Sequence, residues 1–115
     1  MQREYEVMFL VKPNLEDSRY QEIIEKFKAV ITNNGGDVVS INPWGLRDLA
    51  QEFNKITRAY YVVSRFNAPP ASLKELRQFF MVTEDIMRDL VVLVDSIELK
   101  GGLAARAKQK VATES

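Results

Sequence analysis

The sequence predicts an α+β fold in which a four-stranded antiparallel sheet carries two helices on one face. Four short runs rich in β-branched and aromatic residues are typical of strands, and two longer segments repeat apolar residues at helical spacing. The elements follow one another as β-α-β-β-α-β. Right-handed crossovers then place both helices on the same face, with strands one and three at the centre of the sheet. This arrangement is the ferredoxin-like fold.

The first half of the chain supplies a strand, a helix and a second strand. Tyr5 to Lys12 form strand one, and its continuously apolar run at 7–11 predicts that both faces are covered. Residues 16–33 form the first helix, which ends at the Asn-Asn-Gly-Gly run of 33–36. Strand two begins at residues 37–42. The apolar stripe of the helix contains Tyr20, Ile23, Ile24, Phe27, Val30 and Ile31.

The second half repeats the pattern. Strand three spans residues 59–66, and strand four spans residues 86–95. Ser72 and Glu75 have the spacing of a capping box, which predicts the start of a helix that runs to about Met81. The inward residues of that helix are expected to be Leu73, Leu76, Phe79 and Phe80.

Length and composition limit the class of protein. A chain of 115 residues fits one domain, which we expect to span residues 1–97, followed by a flexible basic C-terminal tail at 98–115. Its formal net charge of zero argues against a nucleic-acid binder held by overall charge alone. The longest apolar run near the start is too short to span a membrane, so the prediction is a cytoplasmic protein without a membrane partner.

Known catalytic patterns are missing from the sequence. The chain contains no cysteine and no histidine, which excludes disulfides, thiolate metal sites and histidine-based catalysis. Neighbouring carboxylates such as Glu84 and Asp85 sit at predicted turns or helix ends. Ferredoxin-like enzymes that hydrolyse acyl phosphates need an arginine after strand one, where this chain has Lys-Pro-Asn at 12–14. We therefore predict no catalytic residues, no metal and no cofactor.

The sheet itself suggests a binding surface. Strands one, three and four are apolar on both faces, whereas two helices cover only one face. The other face should therefore carry an apolar patch, which favours a partner site. In the alternative interpretation, the tail or the segment between strands two and three folds over it. Two copies of the isolated chain could also pair there as a homodimer.

Residues 43–55, which we call the arm, separate strands two and three. The arm and strand three combine cations with aromatic rings, which are the usual ingredients of RNA contact: Arg47, Lys55, Arg58 and Arg65 with Trp44, Tyr60 and Tyr61. Strand alternation sends either Tyr60 or Tyr61 into the core. Asp48 and Glu52 offset part of the positive charge.

Several motifs resemble the family of bacterial-type small-subunit ribosomal protein six. They are REYEV at 3–7, PNL at 13–15, WGLRDLA at 44–50, NK at 54–55, YYV at 60–62 and EDIMR at 84–88. The resemblance covers about residues 3–97. It departs from the family's usual pattern at Gln51-Glu52-Phe53 and at Met81, where a cation is common.

This resemblance implies a non-enzymatic constituent of the small ribosomal subunit. Such a protein would bind central-domain ribosomal RNA on the platform together with small-subunit protein eighteen, supporting assembly and translation. It would lie in the ribosome, with cytoplasmic and organellar ribosomes both left open. The arm would be a long β-hairpin that continues strand two, with Trp44 packed at a bend that Gly45 permits. A ferredoxin-like regulatory module that binds a small metabolite as a homodimer is the alternative function.

Individual residues take expected roles under this resemblance. Those assigned to RNA are Arg3, Arg47, Lys55, Arg58 and Arg88, and those assigned to the partner protein are Tyr5, Tyr60, Tyr61 and Arg65.

Overall fold

A computed structural model describes residues 2–53 and 55–94 of the chain. The strands are β1 (Arg3–Val11), β2 (Asp37–Phe53), β3 (Ile56–Ala68) and β4 (Ile86–Leu93). The helices are α1 (Asp17–Asn33) and α2 (Leu73–Val82), and a 3-10 turn at Pro70–Ser72 precedes α2. The predicted tail at 98–115 lies outside the described residues.

The four strands form one antiparallel sheet in the order β2-β3-β1-β4. The predicted ferredoxin-like βαββαβ arrangement, with strands one and three at the centre, is confirmed. The difference lies in the arm, since β2 and β3 are much longer than local sequence pattern predicts. They pair at Arg47 opposite Ala59 and at Asp48 opposite Arg58, and after a register shift again at Phe53 opposite Ile56, so the arm is a hairpin, as the resemblance implied.

The main core lies between the sheet and the two helices. Phe9 of β1 and Phe27 of α1 are fully buried, with ring centroids 5.2 Å apart. Phe66 from β3 and Phe80 from α2 pack against Phe27 at 6.2 and 6.3 Å. Both helices and both central strands therefore contribute an aromatic ring to one cluster, because the apolar stripe of each helix faces the same side of the sheet.

The start of α2 differs from the predicted capping box. The Ser72 backbone is already helical, and its hydroxyl donates to the carbonyl oxygen of Pro69 at 2.7 Å. A hydroxyl engaged with the preceding turn is not placed to accept a bond from the first free N–H groups of the helix. The capping-box prediction is therefore wrong, and the 3-10 turn at Pro70–Ser72 leads the chain into α2 instead.

Close packing fixes the passage from α1 into β2. Gly35 has a φ of +86°, which ends the helix as the sequence predicts. A Cβ atom at the next residue, Gly36, would lie 2.6 Å from the Asn67 carbonyl oxygen and 2.9 Å from the Ala68 Cβ. Gly36 therefore allows β2 to begin directly against the end of β3.

Candidate nucleic-acid and partner interface

The sheet has a second face opposite the helices, which we call the open face. Side chains alternate along β1, so Val7 and Phe9 point to the helices while Met8 and Leu10 point to the open face. A second, smaller apolar cluster lies there. Its buried members are Leu10, Ala59 and Tyr61, and Met8, Trp44, Leu49 and Met87 pack against them.

The arm covers part of this face. The pairing of β2 with β3 shifts between Pro43 and Gly45, where Gly45 has a φ of +79°. This left-handed conformation suits glycine. The shift places the Trp44 ring over Tyr61, with centroids 6.0 Å apart and planes 11° from parallel. The expected structural roles of Trp44 and Gly45 are confirmed, and the arm folds over one side of the apolar patch.

The side of the open face nearest β4 keeps apolar groups at the surface. Leu90 is 45% exposed, and Met8 is half-buried directly opposite it in the sheet register. Val92 is also half-buried and pairs with Glu6. An apolar strip therefore runs beside the cluster that the arm covers.

The structure separates the three tyrosines expected at the partner surface. Tyr61 faces the open face, although it is only 5% exposed beneath Trp44. Tyr60 points to the helix side and stacks on Tyr20 at 3.9 Å. Tyr5 also lies on the helix side, where its buried ring stacks on Phe66 at 5.6 Å. Only the Tyr61 ring fits the expected partner role, because alternation turns the other two away from the open face.

Arg65 of β3 lies on the open face in a group of charges. Its Nε donates to the Glu6 carboxylate at 3.1 Å, and its Nη1 lies 3.7 Å from the Glu4 carboxylate. Glu6 is buried, so Arg65 compensates a carboxylate that water hardly reaches. This role in stability adds to the partner role expected from the sequence.

The five cations expected to contact RNA do not form one patch. Arg47 opposes Ala59 on the open face of the arm, and Lys55 lies at the hairpin tip with a φ of 66°. Arg58 points to the other face of the arm, where it pairs with Asp48 at 3.4 Å. Arg88 lies on β4 opposite Leu10, and Arg3 opposes Ala68 at the far end of the sheet. Arg3 is thus about 40 Å from the arm tip.

Sequence reasoning missed one open-face residue, Glu6, which lies opposite Arg65 and Val92 in the sheet. The apolar run at 7–11 suggested a strand covered on both faces and hid the carboxylate that precedes it.

Two neighbouring tyrosines of β3 have raised pKa values. Burial raises the pKa of Tyr61 above its ordinary value of 10, and the nearby Arg88 opposes that shift. The pKa of Tyr60 is raised mainly by burial, with smaller effects from Tyr20 and Asp17. In both cases the protein surroundings disfavour the phenolate.

Stability is therefore expected to fall at alkaline pH. The unfolded chain ionises Tyr60 and Tyr61 near pH 10, before the folded protein does, so this stability is present below that pH and is lost as pH rises through the folded pKa values. The free energy of unfolding of a Tyr61→Phe variant should fall less over the same pH range than that of the natural chain. Urea unfolding at a series of pH values between roughly 8 and 11 tests this, with tyrosinate absorbance as the readout of ionisation. Equal losses in both proteins would contradict it.

The described part of the chain has neither a candidate metal-ion site nor a membrane-spanning helix. Within residues 2–53 and 55–94, no group of three or more acidic side chains could hold a metal ion. Neither α1 nor α2, the helices described, is long and apolar enough to cross a membrane.

The fold is that of a ferredoxin-like protein with an apolar open face and a charged hairpin arm. Residues 4–93 match the family model for ribosomal protein S6. The chain belongs to the ribosomal protein S6 family.

Curated relatives agree with this assignment. The small ribosomal subunit protein bS6 of Desulforamulus reducens is 39% identical over 90 residues, which are 78% of this chain and 95% of the relative. The Heliobacterium modesticaldum protein of the same name is 41% identical over 93 residues, covering 81% and 97% of the two chains. These relatives are proteins of the small ribosomal subunit, so the predicted ribosomal, non-enzymatic class is confirmed.

A solved structure supports the fold. The crystal structure of 30S ribosomal protein S6 from Thermotoga maritima superposes with a TM-score of 0.79 at 28% identity. The match covers 95% of this chain and 99% of that chain.

Proposed function

We propose that this chain binds small-subunit ribosomal RNA of the central domain together with small-subunit protein eighteen, and so supports assembly of the platform. The observation that carries the proposal is the combination of family membership with two distinct contact surfaces. One is the charged hairpin arm, and the other is the open face with its apolar strip.

The arm supports the RNA half of the proposal. Exposed Arg47 and Lys55 extend along the hairpin beyond the end of β1, where the phosphate backbone of RNA can reach them. The Asp48 carboxylate pairs with Arg58 on the other face of the hairpin, 3.4 Å away. Arg47 therefore lies on the side of the arm that also carries Trp44, while the Asp48–Arg58 ion pair lies on the reverse.

The open face supports the protein half. Exposed Leu90 and half-buried Met8 and Val92 form an apolar strip bounded by charged residues. An apolar centre with a polar rim is the usual anatomy of a protein–protein interface. Simultaneous contact with RNA and protein makes the second binding step effectively intramolecular, so each surface alone can be weak.

Binding to a central-domain RNA fragment, measured with and without small-subunit protein eighteen, tests the proposal. We expect weak binding by the chain alone and tight binding with the partner. An Arg47→Ala, Lys55→Ala variant should weaken the ternary complex by about tenfold or more. It should also flatten the dependence of log affinity on log salt by about one to two, since each phosphate contact releases counterions.

A matched control removes two cations elsewhere. Lys26 and Lys28 lie on α1, away from the arm and the open face, so Lys26→Ala, Lys28→Ala removes the same charge without touching either surface. Equal losses for the two double variants would show a nonspecific charge effect and contradict the assignment of the arm. Tight binding by the chain alone at physiological salt would contradict joint assembly.

A further inference from the structure

We infer that Asn34 is a site of spontaneous deamidation, which the folded turn between α1 and β2 holds back and which proceeds when that turn opens. The product is an aspartate or isoaspartate residue just beyond the end of α1. The turn directly precedes β2, whereas the arm is the far part of that strand, so this chemistry is independent of the proposed function.

Asn34 precedes Gly35, and this is the one Asn-Gly pair in the sequence. The backbone nitrogen of Gly35 can attack the side-chain carbonyl carbon of Asn34, because glycine has no Cβ atom to hinder its approach. The new N–Cγ bond replaces the Cγ–Nδ2 bond, and the side-chain nitrogen leaves as ammonia with the proton from Gly35. Water then opens the cyclic imide at either carbonyl carbon, so the reaction needs no oxidant and no cofactor.

The end of the helix explains why this pair stands here. Exposed Gly35 has a φ of +86°, a left-handed conformation that glycine adopts without strain. The short side chain of Asn34 can bond back to a carbonyl oxygen of the preceding helical turn. The residues that stop α1 are therefore also the pair most open to deamidation.

Two hydrogen bonds engage both reacting groups in the folded turn. The Asn34 Nδ2, which is the leaving nitrogen, donates to the Val30 carbonyl oxygen at 2.7 Å. The Gly35 N–H, whose nitrogen must attack, donates to the Thr32 carbonyl oxygen at 3.3 Å. The attack requires the Gly35 nitrogen to lose its proton and the Asn34 side chain to leave the helix. Both bonds must break first, so the folded turn slows the reaction.

Residues outside the Asn-Gly pair hold the turn closed. The Gln2 side-chain nitrogen donates to the Gly35 carbonyl oxygen. The Gly36 N–H donates to the Ile31 carbonyl oxygen at 2.9 Å. Gly36 also lies so close to Asn67 of β3 that a Cβ atom would be 2.6 Å from the Asn67 carbonyl oxygen. The rate of deamidation should therefore depend on the segment before β1 and on β3, and not only on the Asn-Gly sequence.

Opening of the turn does not require the core to unfold. Ile31 is buried, whereas Thr32, Asn33 and Gly35 are exposed. Helix ends open locally at a lower free energy than the core does. The hydrogen bonds of Asn34 and Gly35 can therefore break while the core rings of α1 stay packed.

Deamidation weakens the end of α1. The last turn of the helix contains no basic residue, and the helix dipole already disfavours negative charge there. A carboxylate at position 34 also cannot donate to the Val30 carbonyl oxygen, because an ionised carboxylate only accepts hydrogen bonds. Each converted molecule therefore carries a less stable junction between α1 and β2.

Incubation of the full chain in mildly alkaline buffer, followed by peptide mass spectrometry, tests the site. Conversion is expected at Asn34, with Asn33 and Asn67 as internal controls, because the residues after them carry side chains that hinder the attack. Conversion should be faster when urea unfolds the chain, since the turn then no longer engages the reacting groups. An Asn34 that converts no faster than Asn33 would overturn the proposal. So would equal rates at Asn34 in the folded and the unfolded chain.

A variant outside the pair separates the role of the turn from that of the Asn-Gly sequence. Gln2→Ala should raise the rate in the folded chain about two- to tenfold, the factor by which loss of one hydrogen bond shifts an opening equilibrium. Gln21→Ala, at an exposed position of α1, is the matched control and should leave the rate unchanged. In urea, both variants should deamidate as fast as the natural chain. Equal rates for the two variants in the folded chain would contradict protection by the turn.

Asn34→Asp measures the consequence for stability. It should lower the urea midpoint more than Asn33→Asp does, because both add a carboxylate at the end of α1 but only the first loses the Nδ2 bond to Val30. Far-ultraviolet circular dichroism checks that every variant folds. Equal midpoints for the two aspartate variants would show that the bond does not hold the turn and would overturn the proposed protection.

Discussion

Phe27→Ala is expected to lower the free energy of unfolding by about 3–5 kcal/mol, a large fraction of the whole stability of a domain of this size. Phe27 is fully buried and is the point where both helices and the centre of the sheet meet. Its ring lies 5.2 Å from that of Phe9 and 6.2 Å from that of Phe66. These rings come from different strands that are fixed by the sheet, so the cavity left by the substitution cannot collapse easily.

Urea unfolding monitored by circular dichroism measures this loss, with Met81→Ala as the matched control. Met81 lies on α2 and is 80% exposed, so its truncation should change the free energy of unfolding by less than about 0.5 kcal/mol. A Phe27→Ala protein that loses no more than about 1 kcal/mol would show that the aromatic cluster is loosely packed and would contradict the structure.

Arg65→Met is expected to cost about 2–3 kcal/mol, less than a fully buried pair would cost because Arg65 keeps about a third of its side chain exposed. The substitution keeps the apolar stem of the side chain but leaves the buried Glu6 carboxylate without the guanidinium that donates to it at 3.1 Å. The loss in free energy of unfolding therefore reports the cost of burying the Glu6 charge without Arg65, and not a loss of packing.

A double-mutant cycle with Glu6→Gln isolates this effect. The Glu6→Gln, Arg65→Met protein should be more stable than the sum of the two single losses predicts, by about 1–2 kcal/mol, because both single variants lose the same Glu6–Arg65 interaction. Arg77→Met, at an exposed position of α2, serves as the control for losing an arginine. Additive losses in the cycle would mean that Glu6 and Arg65 do not act as a pair.

The spacing of apolar residues predicted most of the fold, because each helix or strand buries one whole face against the core. The apolar stripe of α1 was predicted residue by residue, and its members face the core as expected. The apolar runs likewise located all four strands. Local pattern failed at the ends of elements, where Ser72 donates to Pro69 and where β2 and β3 extend through the arm. Those boundaries depend on which partner the backbone finds, and a single segment does not contain its partner.

The sequence predicted which types of residue form the candidate site, but not which face of the sheet each of them occupies. Alternation required that Tyr60 and Tyr61 point to opposite faces, yet it could not say which faced the helices. The register of β3 against β1 decides this, since Tyr60 opposes Val11 on the helix side. The same register separates Arg3 from the arm cations, although residue type and family resemblance had grouped them as one RNA-binding set.

By itself, the sequence determined the order of elements, the absence of cysteine and histidine chemistry, and the apolar character of both sheet faces. Residue types and their spacing suffice for these, because they are properties of neighbouring residues in the chain. Only the tertiary structure decided that Trp44 covers Tyr61 and that Arg65 compensates the buried Glu6. Such contacts join residues far apart in sequence, and strand register, set by packing of the whole sheet, brings them together.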